Sequence, residues 1–270
     1  MPTWEARVTR GTAPADRVDA ELRYALAAPL VRDAALWVDL GCGTGIAAGA
    51  VFGAERRPAR ALLVDVDADA LAEARRESGA DVATTLQADL ESADGAAAVR
   101  AAVAEAEAAG PVVVTCLGVL HQLADFTGLV ELLLALAADG ATVVLSAPDD
   151  AAGALDDPHR RSAWSSGAAE ELRRLLPSDA VTLRQVSVRA SAIVPAAGGE
   201  SAPLGSVEVP GDRYATTHLL AFGAQAARLT PVSRARVADL SAERADARRR
   251  ESDLAYLEAR LAAVEATAPS

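Results

Sequence analysis

Apolar residues along the chain gather in short runs, and between the runs lie longer stretches with helical spacing. Leu36-Trp37-Val38-Asp39-Leu40, Arg60-Ala-Leu-Leu-Val-Asp65, Val112-Val113-Val114 and Ala141–Ala147 have strand length. They are apolar on nearly every position, as strands buried on both faces are. Val82–Ala88 adds a third strand in chain order, and Val181–Ala190 and Ala215–Phe222 add two more. Helices are predicted over Asp16–Leu30, with Val18, Leu22, Tyr24, Leu26 and Leu30 partly on one face, then over Ile46–Phe52, Ala68–Ser78, Ala93–Ala109, Phe126–Ala138 and Ala168–Leu176. Strand and helix in regular succession predict an α/β domain over residues 1–225, with a doubly wound and mostly parallel sheet. The Pro- and Gly-rich stretch Ser191–Asp212 suits an extended hairpin at the sheet edge.

The breaks between runs carry the candidate chemistry. The first strand opens into Gly41-Cys42-Gly43-Thr44-Gly45 before a helix. Glycine there permits φ values that a Cβ opposes and lets a ligand approach the backbone, while the helix behind it offers unpaired N–H groups. The second strand ends in Asp65-Val66-Asp67, where Asp67 is placed to cap the next helix. Asp65 follows Gly45 at about 20 residues, the spacing at which a strand-tip carboxylate accepts ribose hydroxyls in dinucleotide folds. The dinucleotide fingerprint G-x-G-x-x-G, however, requires glycine at position 46, which holds Ile46.

Net charge narrows the range of partners. The 270 residues carry a formal charge of -12, and all 26 basic residues are arginine. An extended nucleic-acid surface requires a basic patch and is not expected here. A small or neutral acceptor fits better. No apolar stretch reaches the roughly 18 residues of a membrane span, and the N-terminus lacks a basic-then-apolar leader, so a cytoplasmic location is expected. Cys42 and Cys116 form no spaced framework and read as small reduced thiols, with no zinc site implied.

Asp39-Leu-Gly-Cys-Gly-Thr-Gly45 resembles motif I of the class I S-adenosylmethionine-dependent methyltransferases. Glu5-Ala-Arg-Val-Thr-Arg-Gly-Thr12, followed by Leu22-Arg-Tyr-Ala25, is similar to the E-R-x-x-x-G-T … H-x-R-Y lead-in of members found with polysaccharide biosynthesis. Val119-Leu-His-Gln-Leu-Ala-Asp125 is similar to their V-L-H-H-L-x-D, with Gln122 in place of the second histidine. The resemblance implies a seven-stranded sheet of order 3-2-1-4-5-7-6 with an antiparallel last strand, and S-adenosylmethionine as cofactor. It assigns Asp39, Gly41, Cys42, Gly43, Gly45, Asp65, Val66, Asp89, Leu90 and Leu117 to cofactor binding. Asp65 would meet the ribose and Asp89 the adenine amino group, with an Asx turn as the competing explanation of Asp89. Arg23 and Tyr24 become candidate lid residues, with Arg23 facing the methionine carboxylate; an ordinary packing helix is the alternative.

Methyl transfer to a hydroxyl also needs a base. His121 is the first candidate and Asp149 and Asp150 are the next, while a packed or capping histidine is the plainer reading of position 121. His218, inside a strand, reads as structural. Pro148–Ser166, holding His159, Arg160, Arg161 and Trp164, falls where the family lines its acceptor pocket. The expected activity is O-methylation of a saccharide or other small molecule. Two other readings stay open: an S-adenosylmethionine-binding scaffold subunit of a biosynthetic assembly, and a nicotinamide oxidoreductase, against which Ile46 counts.

Beyond Pro231 the character changes, and Ser233–Ala266 reads as one long charged helix, the core of a C-terminal segment over 232–267. Val237, Leu240 and Ala247 keep a coiled-coil spacing that Leu254, Leu257, Leu261 and Val264 continue in a shifted phase. That stripe predicts a homodimer seam, docking on another partner, or a helix folded back on its own domain.

Overall fold

The computed structural model describes residues 14–52, 58–79, 81–106, 109–148, 166–185 and 217–232. The chain divides after Ala235. The lead-in Glu5–Thr12, the stretch holding Asp149, Asp150 and Trp164, the hairpin expected over Ser191–Asp212 and the helix expected from Ser233 lie outside the described residues. Among the described residues no helix is long and apolar enough to cross a membrane, and no cluster of side chains is suited to a metal ion.

The elements in chain order are α1 (Pro14–Arg32), β1 (Leu36–Leu40), α2 (Ile46–Phe52), β2 (Ala61–Asp65), α3 (Ala68–Ser78), β3 (Ala83–Gln87), α4 (Ala93–Glu105), β4 (Val112–Leu117), α5 (Thr127–Ala138), β5 (Thr142–Pro148), α6 (Ser166–Leu175), β6 (Val181–Gln185) and β7 (Thr217–Gly223). A 3-10 turn, Leu120–Gln122, follows β4. The seven strands form one sheet in the expected order, β3-β2-β1-β4-β5-β7-β6. The first five run parallel, and β7 pairs antiparallel with both β5 and β6.

Side-chain alternation divides the core into two layers. Leu36, Val38 and Leu40 of β1 join Val64, Val114, Val143 and the helical Val99, Leu129, Leu133 and Leu172, so α4, α5 and α6 cover one face. Trp37 points to the opposite layer with Leu63, Val113, Leu30, Ala48 and Leu71, supplied by α1, α2 and α3. Every residue of β1 and β2 is buried, which is why these runs lack the polar alternation of a solvated strand.

Several boundaries differ from the sequence expectation. β4 continues through Cys116 to Leu117, because Cys116 pairs with Leu145 and Leu117 with Ser146. The strand breaks only at Gly118, at φ 74°. α4 ends at Glu105, short of the expected Ala109. Asp67 caps α3 as its position predicted, accepting from the N–H groups of Asp69 at 2.8 Å and Ala70 at 3.2 Å.

Candidate functional site

Because β1 to β5 are parallel, their carboxyl ends share one edge of the sheet, and ligands of doubly wound folds bind outside that edge. The glycine loop, Asp65, Asp89 and Gly118 all lie there. Gly41, Gly43 and Gly45 have φ of 69°, 54° and 72°, the left-handed region that glycine alone occupies at little cost. The loop is also tightly walled. A Cβ on Gly41 would stand 2.4 Å from Val119 Cγ2, and one on Gly45 would stand 2.8 Å from Ala74 Cα.

Asp65 ties this loop to the second strand. Its Oδ2 accepts from the Gly43 N–H at 2.9 Å and its Oδ1 from the Asp67 N–H at 3.1 Å. The carboxylate is buried rather than a solvated loop acid. Val66 beside it is 50% exposed, an apolar surface at the strand tip. Cys42 is buried in the same core layer as Trp37. Leu117 and Leu90 are buried at the ends of the neighbouring strands.

Asp89 is exposed and makes the Asx turn that competed with a ligand role, its Oδ1 accepting from the Glu91 N–H at 2.9 Å. Glu91 then bridges two loops, its Oε1 accepting from the Ala124 and Asp125 N–H groups at 2.8 and 3.2 Å. His121 is half-buried on the 3-10 turn after Gly118. Gln122 steadies that turn by donating to the Gly118 carbonyl at 3.3 Å. Ser146 Oγ accepts from the Gly118 N–H at 3.0 Å.

Asp39 and Tyr24 sit deeper than the ligand edge. Asp39 shares the face of Trp37 and pairs in register with Thr115 of β4. The Thr115 hydroxyl donates to Asp39 Oδ1 at 2.6 Å and accepts from the Trp37 indole N–H at 2.7 Å; the Tyr24 hydroxyl donates to Asp39 Oδ2 at 2.9 Å. Burial raises the Asp39 carboxyl to about 7, against the opposing pull of the Thr115 and Tyr24 hydrogen bonds, with the nearby Asp65 charge adding to the rise. Burial also raises the Tyr24 phenol, and Asp39 raises it further. The Tyr24 ring meets Trp37 and Phe52 edge-on, at centroid distances of 6.4 and 6.3 Å. Tyr24 is thus a core aromatic of α1.

Arg23 precedes Tyr24 on α1. It is half-buried, with Nη2 lying 4.0 Å from the Cβ position of Gly118. Burial pulls its guanidinium down from the usual range while the Asp19 charge holds it up. The structure therefore brings Arg23, Gly41, Gly43, Gly45, Asp65, Val66, Asp89 and Gly118 to one edge. Asp39, Tyr24 and Cys42 support that edge from beneath. Thr115, Glu91 and Ser146 were missed from sequence; a polar residue inside a buried strand is the one signal that Thr115 and Ser146 offer.

A methyltransferase domain model matches residues 15–185 of the chain. Among curated proteins no relative matches significantly. Similar solved structures include the small RNA methyltransferase HEN1, at 15% identity over 84% of this chain and 28% of that one, with a TM-score of 0.49. A putative S-adenosylmethionine-dependent methyltransferase from Listeria monocytogenes matches at 18% identity over 77% and 96%, TM-score 0.42. The bifunctional kinase-methyltransferase WbdD matches at 16% identity over 83% and 42%, TM-score 0.42. The chain thus spans 28% of the HEN1 chain and 42% of the WbdD chain, and identities this low speak to the fold alone. With the family model covering most of the described domain, and the glycine loop and strand-tip carboxylate at one sheet edge, the chain belongs to the methyltransferase domain family and takes S-adenosylmethionine as its cofactor.

Proposed function

We propose that this chain methylates a hydroxyl of a small-molecule or saccharide acceptor in the cytoplasm. The observation that carries methyl transfer is the junction of Gly43 and Asp65, whose 2.9 Å hydrogen bond fixes the glycine loop against the tip of β2. The site's residues suit the cofactor: the loop leaves its backbone open, Asp65 offers acceptor sites for a ribose, and Val66 offers an apolar surface for a flat ring. When bound, S-adenosylmethionine supplies a methyl group already activated by its sulfonium. The chain's own task is alignment, which can supply several kcal/mol of barrier lowering.

A hydroxyl acceptor must lose its proton, and His121 is the residue we assign to take it. Its support is position, on the turn that leaves β4 at the ligand edge. The net charge of -12 favours a small acceptor over nucleic acid. Labelled S-adenosylmethionine screened against sugars, nucleotide-sugars and phenols tests the acceptor class. Label entering an amine, a thiol or RNA instead would overturn O-methylation. No transfer to any acceptor, with cofactor binding intact, would favour the scaffold reading.

A further inference from the structure

β6 reaches the ligand edge from the far side of the sheet, and its last residue grips α1. Gln185 is 5% exposed and pairs in register with Thr217 of β7. Its Oε1 accepts from Arg23 Nη1 at 3.3 Å, and its Nε2 donates to the Asp19 carbonyl, also at 3.3 Å. Only one orientation of the amide satisfies both contacts, because the flipped one would set donor against donor and acceptor against acceptor. One side chain therefore fixes both the backbone of α1 and the guanidinium one turn further on.

The guanidinium held this way is half-buried at the ligand edge. A guanidinium carries five N–H donors. Among the described residues its one hydrogen bond is to the neutral Gln185 amide, with Asp19 supplying charge from one turn earlier. Its Nη2 lies 4.0 Å from where a Cβ on Gly118 would stand, and that missing side chain leaves room beside the break of β4. A half-buried cation beside an open backbone suits an anionic group.

We propose that Gln185 is a positioning residue, which holds Arg23 over Gly118 so that the guanidinium meets the carboxylate of the cofactor's amino-acid end. This rests on the cofactor reading above. Gln185 acts through Arg23, so its effect belongs to the carboxylate and not to the adenosine.

Calorimetry on the full chain separates the two, using S-adenosylhomocysteine and 5′-methylthioadenosine, which keeps the adenosine and thioether but lacks the amino-acid group. Gln185→Met preserves side-chain length and removes both hydrogen bonds. It should weaken S-adenosylhomocysteine by about 5- to 10-fold, as expected for one lost charge-assisted hydrogen bond, and leave methylthioadenosine within about twofold. In an Arg23→Leu background the same change should have almost no effect on either ligand. Gln185→Glu keeps the acceptor toward Arg23 but neutralises the guanidinium, and should again weaken only S-adenosylhomocysteine; it provides the test if the Met variant does not fold. Equal weakening of both ligands, or an undiminished loss in the Arg23→Leu background, would make Gln185 a structural residue and overturn the proposal. A wild-type chain that binds neither ligand would instead sink the cofactor reading itself.

Discussion

The hydroxyl of Tyr24 donates to the buried carboxyl of Asp39 at 2.9 Å, and so fastens α1 to the strand that ends in the glycine loop. Without it one oxygen of a fully buried carboxyl loses its neutral donor, while the ring contacts with Trp37 and Phe52 remain. Tyr24→Phe should therefore cost about 1–3 kcal/mol of stability with little change in packing. Urea unfolding at neutral pH measures it. A cost below a few tenths of a kcal/mol would mean that the hydrogen bond contributes nothing net.

Asp39 predicts a pH dependence with a definite sign. Its carboxyl is raised to about 7 by burial, above the ordinary value of 3.8. The folded state consequently keeps a proton that the unfolded chain has released. Stability from this group is full below the ordinary carboxylate range and is lost as pH rises toward 7. One proton gives a slope of at most about 1.4 kcal/mol per pH unit. Asp39→Asn removes that slope, so between pH 5.5 and 8.5 the variant should gain on the wild type by on the order of 1–2 kcal/mol. A difference between the two proteins that stays constant across this range would refute the assignment.

The loop and its distant acid were legible in the sequence because their signals are local: glycines at fixed spacing, and a carboxylate closing an apolar run. The strand order came from the likeness to a family, since periodicity shows strands but not their neighbours. The polar network beneath the loop was hidden. Thr115 lies inside a valine-rich run and reads as one more β-branched strand residue; only the register that sets it beside Asp39 gives its hydroxyl a task. Gln185 and Glu91 were hidden for the same reason, since each acts on a segment far away in sequence. Misplacing the end of β4 had a different cause: the valine run stops at Val114, and only the pairing of Cys116 and Leu117 with β5 carries the strand further.

Asp65 holds the glycine loop in the structure and, in the proposed function, also meets the ribose. Asp65→Ala removes the acceptor for the Gly43 and Asp67 N–H groups and any bond to the ribose. Cofactor affinity should fall by about 1.5–3 kcal/mol, the range for lost charge-assisted hydrogen bonds. Asp65→Asn keeps one acceptor oxygen and should lose less. Calorimetric affinity unchanged in a folded Ala variant would remove Asp65 from the site.

His121→Ala tests the assigned base. A residue that only takes a proton should leave cofactor affinity within about twofold, while kcat on a hydroxyl acceptor falls about 100-fold or more. The readout is the split between calorimetric affinity and turnover. Equal loss of both would show that His121 supports the turn after β4 and does no proton transfer.

Gly41 and Gly45 both occupy the left-handed region, but their surroundings differ in a way that makes the last prediction specific. At Gly41 the obstacle to a Cβ is a side-chain methyl, Val119 Cγ2 at 2.4 Å; at Gly45 it is backbone, Ala74 Cα at 2.8 Å. Valine is stiff about χ1 and cannot simply rotate aside. Gly41→Ala should therefore add a clash to a backbone strain of about 1–3 kcal/mol and disturb cofactor binding. Trimming the neighbour in Gly41→Ala/Val119→Ala removes the clash and leaves the strain, so affinity should partly recover. No trimming helps Gly45→Ala, because residue 74 is already alanine and the Cα belongs to α3. Calorimetric titration of the three variants, beside their urea unfolding curves, should show partial rescue at 41 and binding lost at 45. Wild-type affinity in Gly45→Ala would mean that the loop does not need the close approach to α3 seen here.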